Sequence, residues 1–260
     1  MTLGEIIEEL EQLSPPSFAE KWDNSGLMCG RKKKEVKSIL LSVDATDEVV
    51  EEAVLSEADL LLTHHPLIFP SISHITEEDI VGRRLLKLIG ADVACYAMHT
   101  NFDVMGMADE AADRLGLSER EVLQVTFEDS LSKEGIGRVG LLSQEMSVSD
   151  CAELVKEVFL LDHVNVFGDL SRRIRKVAVS PGSGKDMIKD ALQAGAEVLI
   201  TGDIGHHAGI DAAAAGLTII DGGHYGIEKL FVKYMKDFLR SRFPNLEVHS
   251  ASQKEPYVIV

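Results

Sequence analysis

Cysteine is scarce in this chain: Cys29, Cys95 and Cys151 are the only three among 260 residues. They are odd in number, far apart and never spaced as CxxC, which excludes a disulfide framework and a cysteine-rich zinc site and points to a reducing compartment. Positive charge is also short. Against 43 acidic side chains stand 26 Lys and Arg, a formal charge of −17, and such a surface repels phosphate backbones and argues against a nucleic-acid partner. The basic run Arg31-Lys32-Lys33-Lys34 is too short to outweigh that balance and reads as a solvated turn. No apolar stretch approaches the ~18 residues that a membrane span needs. The first residues are acidic and amphipathic, without the basic flank and apolar centre of a secretory signal. These absences make the cytoplasm the expected compartment and leave no membrane partner. A Pro-, Gly- or Ser-rich linker is absent too, so any two lobes are expected to pack as one rigid body.

What is present is globular in character: 45% hydrophobic and 27% charged residues, with a mean hydropathy of +0.04. At about 150 residues per domain, the length allows one large domain or two modest ones. Thr2 and Glu5 form a capping-box pattern that opens a helix through Leu13, which Ser14-Pro15-Pro16 stops. Strands are then expected near 39–43, 59–63 and 92–97, with helices over 47–56 and 78–89 between them. Short buried strands alternating with helices predict a largely parallel α/β sheet. Residues 121–142 read as extended and 147–160 as a helix, and the α/β rhythm resumes at Val177.

That resumption has the form of a repeat. Residues 38–63 laid on 176–201 pair identical residues at Ser42/Ser180, Ala53/Ala191, Ala58/Ala196 and Thr63/Thr201. Any two βαβ units share such a rhythm, but identities at strand ends, where open α/β sheets bind ligands, favour duplication. The expected architecture is two similar α/β lobes, 1–125 and 126–260, facing each other across a cleft.

Three constellations carry chemistry. His64 and His65 follow the apolar run Leu60-Leu61-Leu62-Thr63; His99-Thr100-Asn101-Phe102-Asp103 follows a second run; and Asp221-Gly222-Gly223-His224-Tyr225-Gly226-Ile227-Glu228 follows a third and opens the last long helix. His224 and Glu228, spaced i, i+4, share a helix face. His99 and Asp103 repeat that spacing. One histidine at one strand end is ordinarily structural; three such clusters are not, and imidazoles with carboxylates suit Fe, Zn, Mn, Co or Ni. Two metals about 3.5–4 Å apart lower the pKa of a shared water toward ~7, which makes hydrolysis the natural chemistry. Asp203, in Thr201-Gly202-Asp203-Ile204-Gly205-His206-His207, occupies the position that His65 has in the first repeat and is expected to orient ligands or substrate. Trp22-Asp23-Asn24-Ser25-Gly26 reads either as an aromatic plug with turn chemistry or as a contributor at the cleft. Ser180-Pro181-Gly182-Ser183-Gly184-Lys185 lacks Walker spacing and reads as a strand-to-helix turn more readily than as a phosphate cradle.

The ordered set WDNSGL, LLTHHP, HTNFD, SGSG, TGD followed by HH, and GHYGIE resembles the Nif-three-like family, often labelled GTP cyclohydrolase I type two homologs. The resemblance implies a two-lobed α/β fold, a dinuclear divalent-metal centre, and a homohexamer built as a trimer of dimers. Residue by residue, it implies metal ligands at His64, His65, Asp103, His224 and Glu228, with Asp103 or Glu228 as the bridge. The family commonly has Glu where this chain has Asp203, and its glycine loop is richer than SGSG. The leading expectation is thus a dinuclear-metal hydrolase of a small purine-containing or phosphorylated substrate, with His99 or His207 as proton shuttle. The alternatives are a nucleic-acid-associated ring and a non-catalytic metal-handling protein.

Overall fold

The computed structural model describes residues 1–259. In chain order its helices are α1 (Leu3–Leu13), α2 (Asp47–Leu55), α3 (Ile80–Gly90), α4 (Thr100–Phe102), α5 (Ala108–Arg114), α6 (Val148–Phe159), α7 (Ile188–Gln193), α8 (His206–Ala214), α9 (His224–Glu228) and α10 (Leu230–Arg242). The strands are β1 (Gly26–Cys29), β2 (Ser38–Ser42), β3 (Leu60–Thr63), β4 (Ala94–Ala97), β5 (Ser118–Glu128), β6 (Lys133–Ser147), β7 (Asn165–Phe167), β8 (Arg173–Ser183), β9 (Val198–Gly202), β10 (Thr218–Asp221) and β11 (Glu247–Ser250). The chain forms two units, Met1–Phe102 with Phe231–Val260, and Asp103–Leu230. The chain leaves the first unit at Phe102, ahead of the expected 125/126 boundary, and returns to it at Phe231 within α10, followed by β11. The return is fixed by β11, which pairs in parallel with β2 from Glu247↔Ser38 to Ser250↔Leu41.

The first unit holds a five-stranded sheet in the order β1-β4-β3-β2-β11, parallel except for β1. Its central strands are apolar and buried along their length because helices α2 and α3 cover one face and α1 contributes Leu3, Ile6, Ile7 and Leu10 to the core. The predicted capping box is formed: Thr2 Oγ1 accepts from Glu5 N at 3.3 Å, and Thr2 N donates to Glu5 Oε2 at 2.7 Å. The basic turn departs from its reading in one residue. Arg31 pairs on the surface with Asp92, but the Lys34 side chain is only 11% exposed and lies 3.3 Å from Asp59.

The second unit holds a six-stranded sheet in the order β5-β6-β8-β9-β10-β7. Only β8, β9 and β10 run parallel; β5, β6 and β7 join antiparallel, so the expectation of a largely parallel arrangement holds for the first sheet and for half of the second. Buried Arg138 on β6 donates to both carboxylate oxygens of Asp109 at 2.7 and 2.8 Å and to the carbonyls of Gly135, Gly137 and Val104. Through Val104 it ties β6 to the π-helical stretch Asp103–Met107. The repeat is visible in the register. Ile39↔Leu60, Leu40↔Leu61 and Leu41↔Leu62 in the first unit correspond, at the offset seen in the sequence, to Val177↔Val198, Ala178↔Leu199 and Val179↔Ile200 in the second. No helix among the described residues is long and apolar enough to cross a membrane.

Candidate metal centre

In the first unit the carboxyl ends of neighbouring parallel strands deliver the polar groups, as open α/β sheets do. Asp44 follows β2, His64 and His65 follow β3, and His99 follows β4. One ring nitrogen from each of His64, His65 and His99 lies within 4.8 Å of the others. The rings themselves stand 4.9 to 5.5 Å apart between centroids. Because β1 is antiparallel, with Gly26 opposite Ala97, the residues that precede it come to the same edge of the sheet. This explains the WDN element: Asp23 Oδ1 accepts from His99 Nδ1 at 2.7 Å, while its other oxygen accepts from Ser25 Oγ at 2.7 Å and from Thr100 N at 3.1 Å. Burial alone would raise the Asp23 carboxyl, but the hydrogen bonds from His99, Ser25 and Thr100 outweigh it and hold the group well below the usual carboxylate range. Trp22 is not a core plug. It is 60% exposed and lies edge-on to Phe69 and His99.

In the second unit the equivalent strand ends carry different residues. Gly182, near the end of β8, stands at the repeat position of Asp44, and Asp203, after β9, at that of His65. His224 and Glu228 both fall within α9, and their predicted shared face is realised: Nε2 and Oε2 lie 3.1 Å apart. Glu228 is buried, and an oxygen of Asp103 lies within 4.8 Å of one of Glu228. Asp203 accepts from His224 Nδ1 at 2.7 Å, from a backbone held at φ 57°. Asp221, the last residue of β10, ties the loops after β9 and β10 together by accepting from Ile204 N and Gly223 N, both at 2.9 Å. The SGSG element has a packing reason here: a Cβ on Gly182 would meet Glu228 Oε1 at 2.4 Å, and one on Gly184 would meet Thr201 Oγ1 at 1.9 Å.

A common pattern runs through both units. His64 Nδ1 donates to the Met98 carbonyl at 2.7 Å, His65 Nδ1 to Asp44 at 2.6 Å, His99 Nδ1 to Asp23 and His224 Nδ1 to Asp203. Oxygen acceptors on Nδ1 of His64, His65 and His99 hold each neutral ring in the tautomer whose Nε2 carries the lone pair a metal ion takes, as metal-binding histidines are usually held, whereas His224 has a carboxylate at each nitrogen, Asp203 at Nδ1 and Glu228 at Nε2. The donor set of neutral imidazoles and carboxylates without thiolate fits a divalent ion of the Mn to Zn series. His207 stands apart from this pattern. It is exposed at the start of α8 beside His206 and belongs to no metal-competent group among the described residues. His99 and Asp103 keep the spacing of His224 and Glu228 but not their conformation, since His99 precedes α4 and Asp103 opens the π-helical stretch. Asp44 was not singled out from the sequence. Its only signal was a carboxylate just past a buried strand.

The chain as a whole is similar to known proteins. The family model for DUF34/NIF3 (NGG1p interacting factor 3) matches residues 1–256. A Clostridium perfringens protein called GTP cyclohydrolase 1 type 2 homolog is 39% identical over 88% of this chain and 87% of its own. A solved Bacillus cereus protein related to NIF3 superposes with a TM-score of 0.90 at 25% identity, covering 100% of this chain and 99% of that one. Reduced HcgD from Methanocaldococcus jannaschii gives 0.85 at 31% identity over 97% and 98% of the two chains. With the family model spanning almost the whole sequence and the fold matching throughout, the chain belongs to the DUF34/NIF3 family.

Proposed function

We propose that this protein is a dinuclear divalent-metal-dependent hydrolase of a small, purine-containing or phosphorylated substrate, with His64, His65, Asp103, His224 and Glu228 as metal ligands. The observation that carries the reading is the shared orientation of the histidines, each with Nδ1–H given to an oxygen. Bound metals would supply Lewis acidity and an activated water. The chain's own residues do the rest. Asp44 and Asp203 hold the rings of His65 and His224, and buried Glu228 has the anionic oxygens to bridge or neutralise. Asp23 holds His99 so that its Nε2 can accept a proton, with the resulting imidazolium stabilised by the carboxylate behind it. The name borne by the curated relatives, GTP cyclohydrolase 1 type 2 homolog, supports a purine nucleotide as the first substrate class to assay.

The test is elemental analysis of the wild type beside His224→Ala and Asp103→Ala. The reading expects bound Fe, Zn, Mn, Co or Ni in the wild type and loss of it in both variants with folding retained. Unchanged metal in both overturns the ligand assignment. Turnover is then sought across nucleotides, cyclic phosphates and amides; metal loading without turnover would instead favour a metal-handling role. The proposed assembly is a homohexamer in the cytoplasm, checked by a solution mass six times that of the chain.

A further inference from the structure

One side chain near the candidate ligands comes from the segment that follows β11, far from them in sequence. Because β11 runs parallel to β2, its carboxyl end arrives beside the carboxyl end of β2. The ladder continues one step further, with Ala251 N donating to Leu41 O at 2.8 Å, and Ser252 N donates to Glu52 Oε2 on α2 at 2.9 Å. Gln253 then turns its carboxamide onto the turn after β2. Its Oε1 accepts from Val43 N and Asp44 N, both at 3.0 Å, and from the Ser42 hydroxyl. Two backbone donors on one side fix which end of the amide is oxygen, so Nε2 is the end that donates to Asp44 Oδ2. The other oxygen of Asp44 accepts from His65 Nδ1 at 2.6 Å. The result is a relay Gln253–Asp44–His65, built from the ends of three neighbouring parallel strands.

We propose that Gln253 is a positioning residue for a divalent metal at His65, acting through Asp44. The inference rests on the metal reading above and adds to it that the 251–253 segment is coupled to metal loading. Asp44 alone has rotational freedom about its side-chain torsions. With Oδ2 taken by Gln253 and its own amide held by the same carboxamide, the carboxylate is fixed in the plane that holds the His65 ring. Coupling of this kind is reciprocal: if the clasp strengthens metal binding, metal binding strengthens the clasp.

The experiment uses the full chain, stripped with a chelator and titrated with Co(II), whose visible spectrum reads ligand geometry. Gln253→Ala is expected to weaken Co(II) binding about 10-fold and to alter the spectrum at saturation. Asp44→Asn should do the same, and the double variant should be little worse than the poorer single one, because both act along one path. A merely structural clasp would lower the melting temperature of Gln253→Ala and leave the Co(II) affinity and spectrum within twofold of wild type; that result overturns the proposal. Absence of Co(II) binding by the wild type overturns the metal reading and this inference with it. A second measurement needs no variant. Hydrogen exchange at the Val43 and Asp44 amides, which donate to Gln253, should slow when Zn(II) is added to the stripped wild type. Identical exchange with and without Zn(II) counts against the coupling.

Discussion

Gly182 leaves room for Glu228 by having no side chain. A methyl group there would stand 2.4 Å from Glu228 Oε1 and 3.7 Å from His224 Nε2, and the backbone at φ 76° already disfavours an L side chain. Gly182→Ala should therefore cost about 1–3 kcal/mol from backbone strain and displace the Glu228 carboxylate. The expected outcome is a lower melting temperature together with weaker retention of divalent metal on dialysis. Wild-type retention in that variant would show that the contact does not place Glu228. At this scale the histidines were legible because each follows an apolar run that could only be a buried strand. Their partners were not, apart from Asp203, which the repeat singled out, and Asp23, which the WDN element contains without pointing to His99. Asp44 lies 21 residues from His65 and Asp23 lies 76 residues from His99, and a carboxylate that distant gives no local periodicity to read.

Between neighbouring elements, Asp59 shows how one carboxylate joins two strands. It precedes β3 and accepts from Lys37 N at 2.8 Å and Ser38 N at 3.2 Å, at the entrance of β2, with Lys34 as its ion-pair partner. Burial would raise its pKa, but the two backbone donors and Lys34 prevail and lower it. A carboxyl depressed in the folded state contributes stability that is fully present above its unfolded pKa, near 3.9, and lost as pH falls through the lower folded value. Urea denaturation from pH 6 to pH 3 should therefore show a steeper acid loss for wild type than for Asp59→Asn. Parallel slopes would show that Asp59 carries none of it. The strands β2, β3, β4 and β10 were readable because all or nearly all their residues are buried. The short edge strands β7 and β11 were not, since a three-residue or four-residue strand exposed on one side carries too little apolar pattern to stand out.

For the molecule as a whole, the acidic surplus and the few thiols point the same way. All three cysteines are unpaired; Cys95 and Cys151 are fully buried, and burial pushes the Cys151 thiol up to about 12 and raises those of Cys29 and Cys95. Thiolate is the reactive form, so iodoacetamide near pH 8 should label the native protein slowly and, where it labels at all, at half-buried Cys29. In urea all three should react. Fast native labelling of Cys151 would contradict its buried environment. The −17 charge is what the 43 acidic groups leave over after the 26 basic ones, some of which, such as Arg83 and Arg84 against Asp47, are taken up in ion pairs, and the candidate ligand set accounts for only two of its carboxylates, Asp103 and Glu228.

The sequence by itself determined the α/β class, the repeated strand pair and the histidine-bearing strand ends, because burial of central strands and helix spacing are local patterns that composition cannot hide. It also held the motifs through which the family is recognised. Only the tertiary structure decided where the chain leaves and re-enters the first unit, that Asp23 and Asp44 hold His99 and His65, and that Gly182 accommodates Glu228 and Gln253 reaches Asp44. Each of these depends on which strands lie side by side, and strand order is set by packing among segments that are distant in sequence.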